Sequence, residues 1–158
     1  MDLIFILCAK YLFLIILLIS GIFFLKQPRE SKIKMVVFGL LCAISSYLIA
    51  LLAGHLYFDP RPFVGHFKPL IEHDTENGFP SDHVLLVSVI AAVITVFSKK
   101  LSIILWALTI IIAIARVYVG VHHIIDVVAS IFIAITTTAI LYFLLRKRYR
   151  ELLLKDIK

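Results

Sequence analysis

Three short stretches carry side chains that can do chemistry together. In residues 115–126, Ala-Arg-Val-Tyr-Val-Gly-Val-His-His-Ile-Ile-Asp, an otherwise apolar region holds Arg116, His122 and Asp126. Charge in such surroundings is costly and usually functional. His122 and Asp126 are spaced i, i+4, which places them on one face of a helix. A carboxylate bonded to one imidazole nitrogen fixes the tautomer and leaves the other nitrogen free to attack. Arg116 and Arg61 offer forked donors that match phosphate oxygens. Pro80-Ser81-Asp82-His83 reads as a helix start. There Ser81 caps the first turn, and the free N–H groups of that turn bind anions. His83, beside the Asp82 carboxylate, is placed to protonate a leaving oxygen. The set describes phosphoryl transfer through a phosphohistidine: the arginines hold the phosphate, His122 attacks, and His83 serves the leaving group and then water.

Each piece alone has an ordinary structural explanation, as a cap, a loop dipeptide or a paired charge. The combination on one surface reverses that balance. His55, His66, His73 and His123 are read as structural. A metal is the main chemical rival, because His83, His122 and Asp126 offer Zn²⁺ two imidazoles and a carboxylate. The two flanking arginines repel a cation and favour an anion, so no metal and no other cofactor is expected.

The elements that must position these groups are membrane helices. The chain has 158 residues, enough for one domain, and is 62% hydrophobic and 16% charged. Soluble domains run nearer to about 45–50% apolar and about 25% charged. The apolar residues fall in blocks that give spans at residues 3–25, 33–56, 81–97, 101–119 and 127–145. The expected fold is therefore an all-α, polytopic membrane helix bundle of about five transmembrane helices in a single domain. The first block lacks the basic start and the cleavage site of a signal peptide and is read as a retained helix. Its one charge, Lys10, is read as snorkelling to the interface. Gly39, Ala43, Ser46, Ala50 and Gly54 form a small-residue stripe suited to close helix packing. The block at 81–97 is short, and is completed by its polar first turn and by Lys99-Lys100. Cys8 and Cys42 lie in apolar segments and are read as small core residues.

The net charge of +6 does not point to nucleic acid, because the basic residues cluster between apolar blocks. Lys26, Arg29, Lys32 and Lys34, the Lys99-Lys100 pair, and the tail at 146–158 share one side by alternation, which the positive-inside rule makes cytoplasmic. The long loop 57–80 and the 120–126 turn then face outward together, with the active site at the extracytoplasmic face of the plasma membrane.

With these residues in place, the chain resembles the type 2 phosphatidic acid phosphatase superfamily of membrane lipid phosphatases. That family shows Lys-x6-Arg-Pro, Pro-Ser-Gly-His and Ser-Arg-x5-His-x3-Asp. The counterparts here are Arg61-Pro62, then Pro80-Ser81-Asp82-His83, then Ala115-Arg116 with His122 and Asp126 in register. The resemblance implies that His122 is the nucleophile, Asp126 its partner and His83 the acid–base residue. It also implies that Arg61, Ser81 and Arg116 bind phosphate without metal. Gly54 stands at the first-motif lysine position, with His55 or Lys68 as stand-ins, Asp82 replaces glycine, and Ala115 replaces serine. The Asp-Pro-Arg-Pro-Phe and Phe-Pro-Ser-Asp-His wording is similar to the bacitracin-resistance branch of undecaprenyl-diphosphatases. This implies a polyprenyl diphosphate as substrate, and membrane lipids rather than nucleic acid as surroundings. Family members commonly have six spans, so an N-terminal segment is expected to be absent or replaced. The alternatives are a phosphatidate or phosphatidylglycerophosphate phosphatase, a non-catalytic lipid-phosphate binder or flippase, and a cation transporter.

Overall fold

The computed structural model describes residues 1–64 and 68–149. His66 and the tail beyond residue 149, including Arg150, Lys155 and Lys158, lie outside the described residues, as do the side chains of Lys147 and Arg148. The expected cytoplasmic placement of that tail therefore falls outside them too.

Within the described residues the chain forms five helices: α1 (Asp2–Leu25), α2 (Arg29–Leu56), α3 (Asp82–Phe97), α4 (Lys99–Tyr118) and α5 (Ile124–Tyr149). Long apolar runs become helices in a bilayer because only internal hydrogen bonds satisfy the backbone there. α1, α2, α4 and α5 are long and apolar enough to cross a membrane, while α3 is a shorter apolar helix. α2 begins at Arg29, before the first residue expected of that span, so the basic connection is largely its first turn. Consecutive helices reverse direction. The turns at Lys26–Pro28 and Ser98 lie at one end, and the 57–80 loop and the 119–123 turn lie at the other.

α3 is the central element and packs against each of the other four helices. It buries Val84, Leu85, Val87, Ser88, Val89 and Ala91 through Ile94, on nearly all its sides. Ser98 alone joins α3 to α4, and its hydroxyl accepts from the Leu101 N–H at 3.3 Å. α1 and α2 bury little and turn their apolar faces outward, as lipid-facing helices do. On α2 the buried stripe is Met35, Phe38, Cys42, Ser46 and Ala50. The small-residue stripe is thus used only in part: Ala43 is exposed, a helical step away from buried Cys42. Lys10 is exposed on α1. The Thr136 hydroxyl donates back to the Phe132 carbonyl at 2.7 Å.

At the other end, the side chain of Asn77 fastens the loop to the end of α2. Asn77 donates through Nδ2 to the carbonyls of Gly54 (2.8 Å) and Tyr57 (3.0 Å). Its Oδ1 accepts from the N–H groups of Asp59 (2.9 Å) and Phe79 (3.0 Å). The Gly78 N–H donates to the Asp59 carbonyl at 2.9 Å, so the two arms of the loop lie side by side. The loop backbone presses onto α2 at Gly54, where a Cβ would stand 2.8 Å from the Phe79 carbonyl oxygen. Gly54→Lys therefore forces the loop off the helix. The expected cost is about 1–3 kcal/mol, read as a lower melting temperature in detergent with faster proteolysis between residues 57 and 80. Wild-type melting and cleavage in that variant would contradict the contact.

Candidate functional site

His122 follows the last turn of α4, just after Gly120, whose φ of 80° takes the left-handed conformation the turn requires. It therefore lies before α5, and the His122–Asp126 pair is formed across a turn and a helix start rather than along one helix. The pairing survives, with Nδ1 3.3 Å from Asp126 Oδ2. The shorter Nδ1 contact is to the carbonyl of Gly78, at 3.0 Å. A carbonyl oxygen can only accept, so Nδ1 carries the proton and Nε2 carries the lone pair. Asp126 Oδ2 also accepts the His123 N–H at 2.8 Å, which fixes the carboxylate.

The free nitrogen faces two guanidiniums. Arg116 Nη2 lies 3.3 Å from His122 Nε2, and Arg61 Nη1 lies 3.5 Å from it. Arg116 comes from the last turn of α4 and is 2% exposed, while Arg61 comes from the loop and is 8% exposed. Arg61 Nη1 also donates to the Val121 carbonyl at 3.0 Å. Among the described residues neither guanidinium is ion-paired to a carboxylate, and the Nε of each is buried without a partner. Two buried cations with no carboxylate in ion-pair contact are expensive, and the more distant Asp126 and Asp82 offset them only in part, so the geometry suits an anionic ligand.

Ser81 is the N-cap residue of α3, but its hydroxyl makes no cap bond. It is fully buried and has no hydrogen-bond partner. The backbone takes over its anchoring: the Ser81 N–H donates to the Asp126 carbonyl at 3.3 Å, and the Ser130 hydroxyl donates to the Ser81 carbonyl at 2.9 Å. α3 and α5 are thereby stitched together beside His122, with the Ser81 hydroxyl still available to a ligand. His83 is the second residue of α3 and half-buried, with its ring edge-on to Phe13 at 5.8 Å. It makes no hydrogen bond to the other site residues. Asp82 is exposed at the first position of α3. Ala115 is fully buried in a cluster with Ala9, Ile71, Val119 and Val121, under the loop.

His83, His122 and Asp126, the rival zinc set, are not the group that clusters among the described residues. The cluster whose ligand atoms lie within 4.8 Å of one another is Asp59, His123 and Asp126, without His83 or His122. His123 Nδ1 stands 3.1 Å from Asp59 Oδ2.

Three participants escaped the sequence reading: the Gly78 carbonyl, Asn77 and His73. A carbonyl has no sequence signature, and His73 is one loop histidine among several. Gly78 has a readable reason to be glycine, since a Cβ would lie 3.2 Å from both Asp126 Oδ2 and the Asp59 carbonyl. The His73 ring centroid is 6.1 Å from that of His122, at 72°. Burial, then the guanidiniums of Arg61 and Arg116 and the electrostatic coupling to His122, push His73 down to about 4. His122 is also lowered from its ordinary value, by burial first and by the two arginines, against the raising effect of Asp126.

Comparison with known proteins adds the following. The PAP2 superfamily model matches residues 35–150. The chain is 33% identical over 125 residues to undecaprenyl-diphosphatase BcrC of Bacillus subtilis, covering 77% of this chain and 61% of that protein. It is 26% identical over 155 residues to phosphatidylglycerophosphatase B of the same organism, covering 87% and 70%. The chain thus spans about two thirds of the length of these relatives. The crystal structure of Aquifex aeolicus LpxE shares the fold, with a TM-score of 0.70 over 90% of this chain and 85% of that one, at 22% identity.

The two neutral imidazoles have a consequence for pH. Both hold folded pKa values below the unfolded value of about 6.5. Between those limits the unfolded chain binds more protons, so their contribution is present above 6.5 and is lost as pH falls. Melting temperature should therefore decline as pH falls from 6.5, with the part due to His73 spent by about 4. A His73→Gln variant should show a shallower decline over the same window, and an identical slope would refute the assignment.

Proposed function

The chain belongs to the PAP2 superfamily, and from that premise we propose that it is a membrane lipid-diphosphate phosphatase acting through His122, with undecaprenyl diphosphate as substrate. The observation that carries this reading is the lone pair of His122 Nε2, held between two buried arginines that have no carboxylate partner. A terminal phosphoryl group bound by Arg61, Arg116, the Ser81 hydroxyl and the first-turn N–H groups of α3 would lie against that nitrogen. Nε2 attacks phosphorus, and the bond from phosphorus to the bridging oxygen breaks. His83 supplies the proton to the departing lipid phosphate. Water, deprotonated by the same histidine, then cleaves the N–P bond, releasing orthophosphate and restoring His122. Asp126 and the Gly78 carbonyl hold the Nδ1 proton and stabilise the charge that develops on the ring. Asp82, beside His83, orients that residue at the substrate edge.

The substrate reading is supported by the similarity to BcrC of B. subtilis. The similarity to phosphatidylglycerophosphatase B favours a second substrate class, the lipid phosphomonoesters. Placement at the extracytoplasmic face is supported by Lys26, Arg29, Lys32, Lys34, Lys99 and Lys100, all at the opposite end of the bundle.

In purified protein, phosphate release from undecaprenyl diphosphate should persist in chelator and vanish in His122→Ala. Arg116→Ala should lower kcat by about 10²–10³, as loss of one preorganised donor does. A competition assay across undecaprenyl diphosphate, phosphatidate and phosphatidylglycerophosphate decides the substrate. Turnover unaffected by His122→Ala would sink the mechanism.

A further inference from the structure

The loop that presses on Gly54 also delivers His73. Three attachments set its path over the site. Asn77 fastens one arm to the end of α2. The Leu70 N–H donates to the Val119 carbonyl at 3.1 Å, which fixes the other arm to the end of α4. Between them Ile71 is 5% exposed, buried against Ala9, Ala115, Val119 and Val121. His73, next but one in the chain, is held half-buried with its ring against that of His122. Arg61, Arg116 and His122 all act on it electrostatically, so it stands within the field of the anion site.

The same loop excludes a lysine from position 54. The obstacle to a Cβ there is the backbone oxygen of Phe79, which has no flexible end to move aside. His55 and Lys68, the other cation-capable residues near that motif, are exposed and make no hydrogen bond or ion pair to the site. We propose that His73 is a phosphate-binding residue of this site, supplied by the loop where a lysine at position 54 has no room. The proposal takes its ligand, a phosphate or diphosphate group, from the phosphatase reading above. An imidazole N–H donates to a phosphate oxygen while neutral. The negative charge of a bound phosphate also opposes the two guanidiniums and draws a proton onto the ring, which strengthens the contact.

The test uses the full chain in detergent, with inorganic pyrophosphate and orthophosphate as calorimetric probes, and undecaprenyl diphosphate as substrate. Two variants separate ligation from packing. His73→Ala removes the ring, whereas His73→Phe keeps an aromatic against His122 and removes the nitrogens. Both should weaken pyrophosphate binding about tenfold, as loss of a charge-assisted hydrogen bond does. Both should raise KM by a similar factor with a smaller change in kcat, and the Phe variant should melt like wild type. His55→Ala should change none of these. Pyrophosphate binding and KM at wild-type values in the Phe variant would overturn the proposal, as would a wild type that binds neither probe. If that occurs while His122→Ala still abolishes phosphate release, the phosphatase reading stands alone. If pyrophosphate binding depends on His73 but wild type releases no phosphate, the anion site stands and the phosphatase reading fails.

Discussion

Two guanidiniums buried around one imidazole nitrogen set the terms for the rest of the structure. Moving an ion out of water costs several kcal/mol even after relaxation. The contacts that Arg61 and Arg116 do make, to the Val121 carbonyl and to His122 Nε2, are hydrogen bonds to neutral acceptors. Such bonds return about 1.5–3 kcal/mol each when one partner is charged. These bonds return less than burial of the two charges costs, and an anion between the guanidiniums is the group that offsets the difference. The guanidiniums and the imidazole are held by the packing of α3, α4 and α5 around them. The bonds from Ser130 to Ser81 and from Ser81 to Asp126 join α3 to α5 beside His122.

The imidazole itself is held from two directions that differ in rigidity. Asp126 reaches it from the first turn of α5, and the Gly78 carbonyl reaches it from the loop. The loop contact is the shorter. Orientation of His122 thus depends on whether the loop is seated, and the loop is seated by Asn77 and Ile71, neither of which touches His122. The loop is part of the machinery that positions the nucleophile as well as a cover over it.

What was legible in the sequence was whatever has a local period or a local cost. The helices announced themselves through continuous apolar runs, and the His122, Asp126 and Arg116 group through charge where charge is expensive. Ser81 was legible as a cap position, yet its hydroxyl is held back from capping while its backbone N–H reaches Asp126. His73, Asn77 and the Gly78 carbonyl were not legible, because their partners lie far along the chain and loop geometry has no period to betray them. The departure at Gly54 could be read only as a missing cation. The packed backbone at Phe79 supplies its steric reason. Ala43 shows the opposite failure, a correct spacing rule applied one helical step off the face that is buried.

The brevity of α3 reaches beyond the protein. Its 16 residues extend ~24 Å, against a hydrocarbon thickness of about 30 Å. Because Ser98 is the whole link to α4, the Lys99-Lys100 pair must sit at the depth where α3 stops. Longer neighbours, with 28 residues in α2 and 26 in α5, cannot shorten to match. The lipid must adjust instead, by thinning around this helix pair or by letting headgroups dip toward the lysines, at fractions of a kcal/mol per Å. The shortfall falls on α3 alone, since the 20 residues of α4 extend ~30 Å.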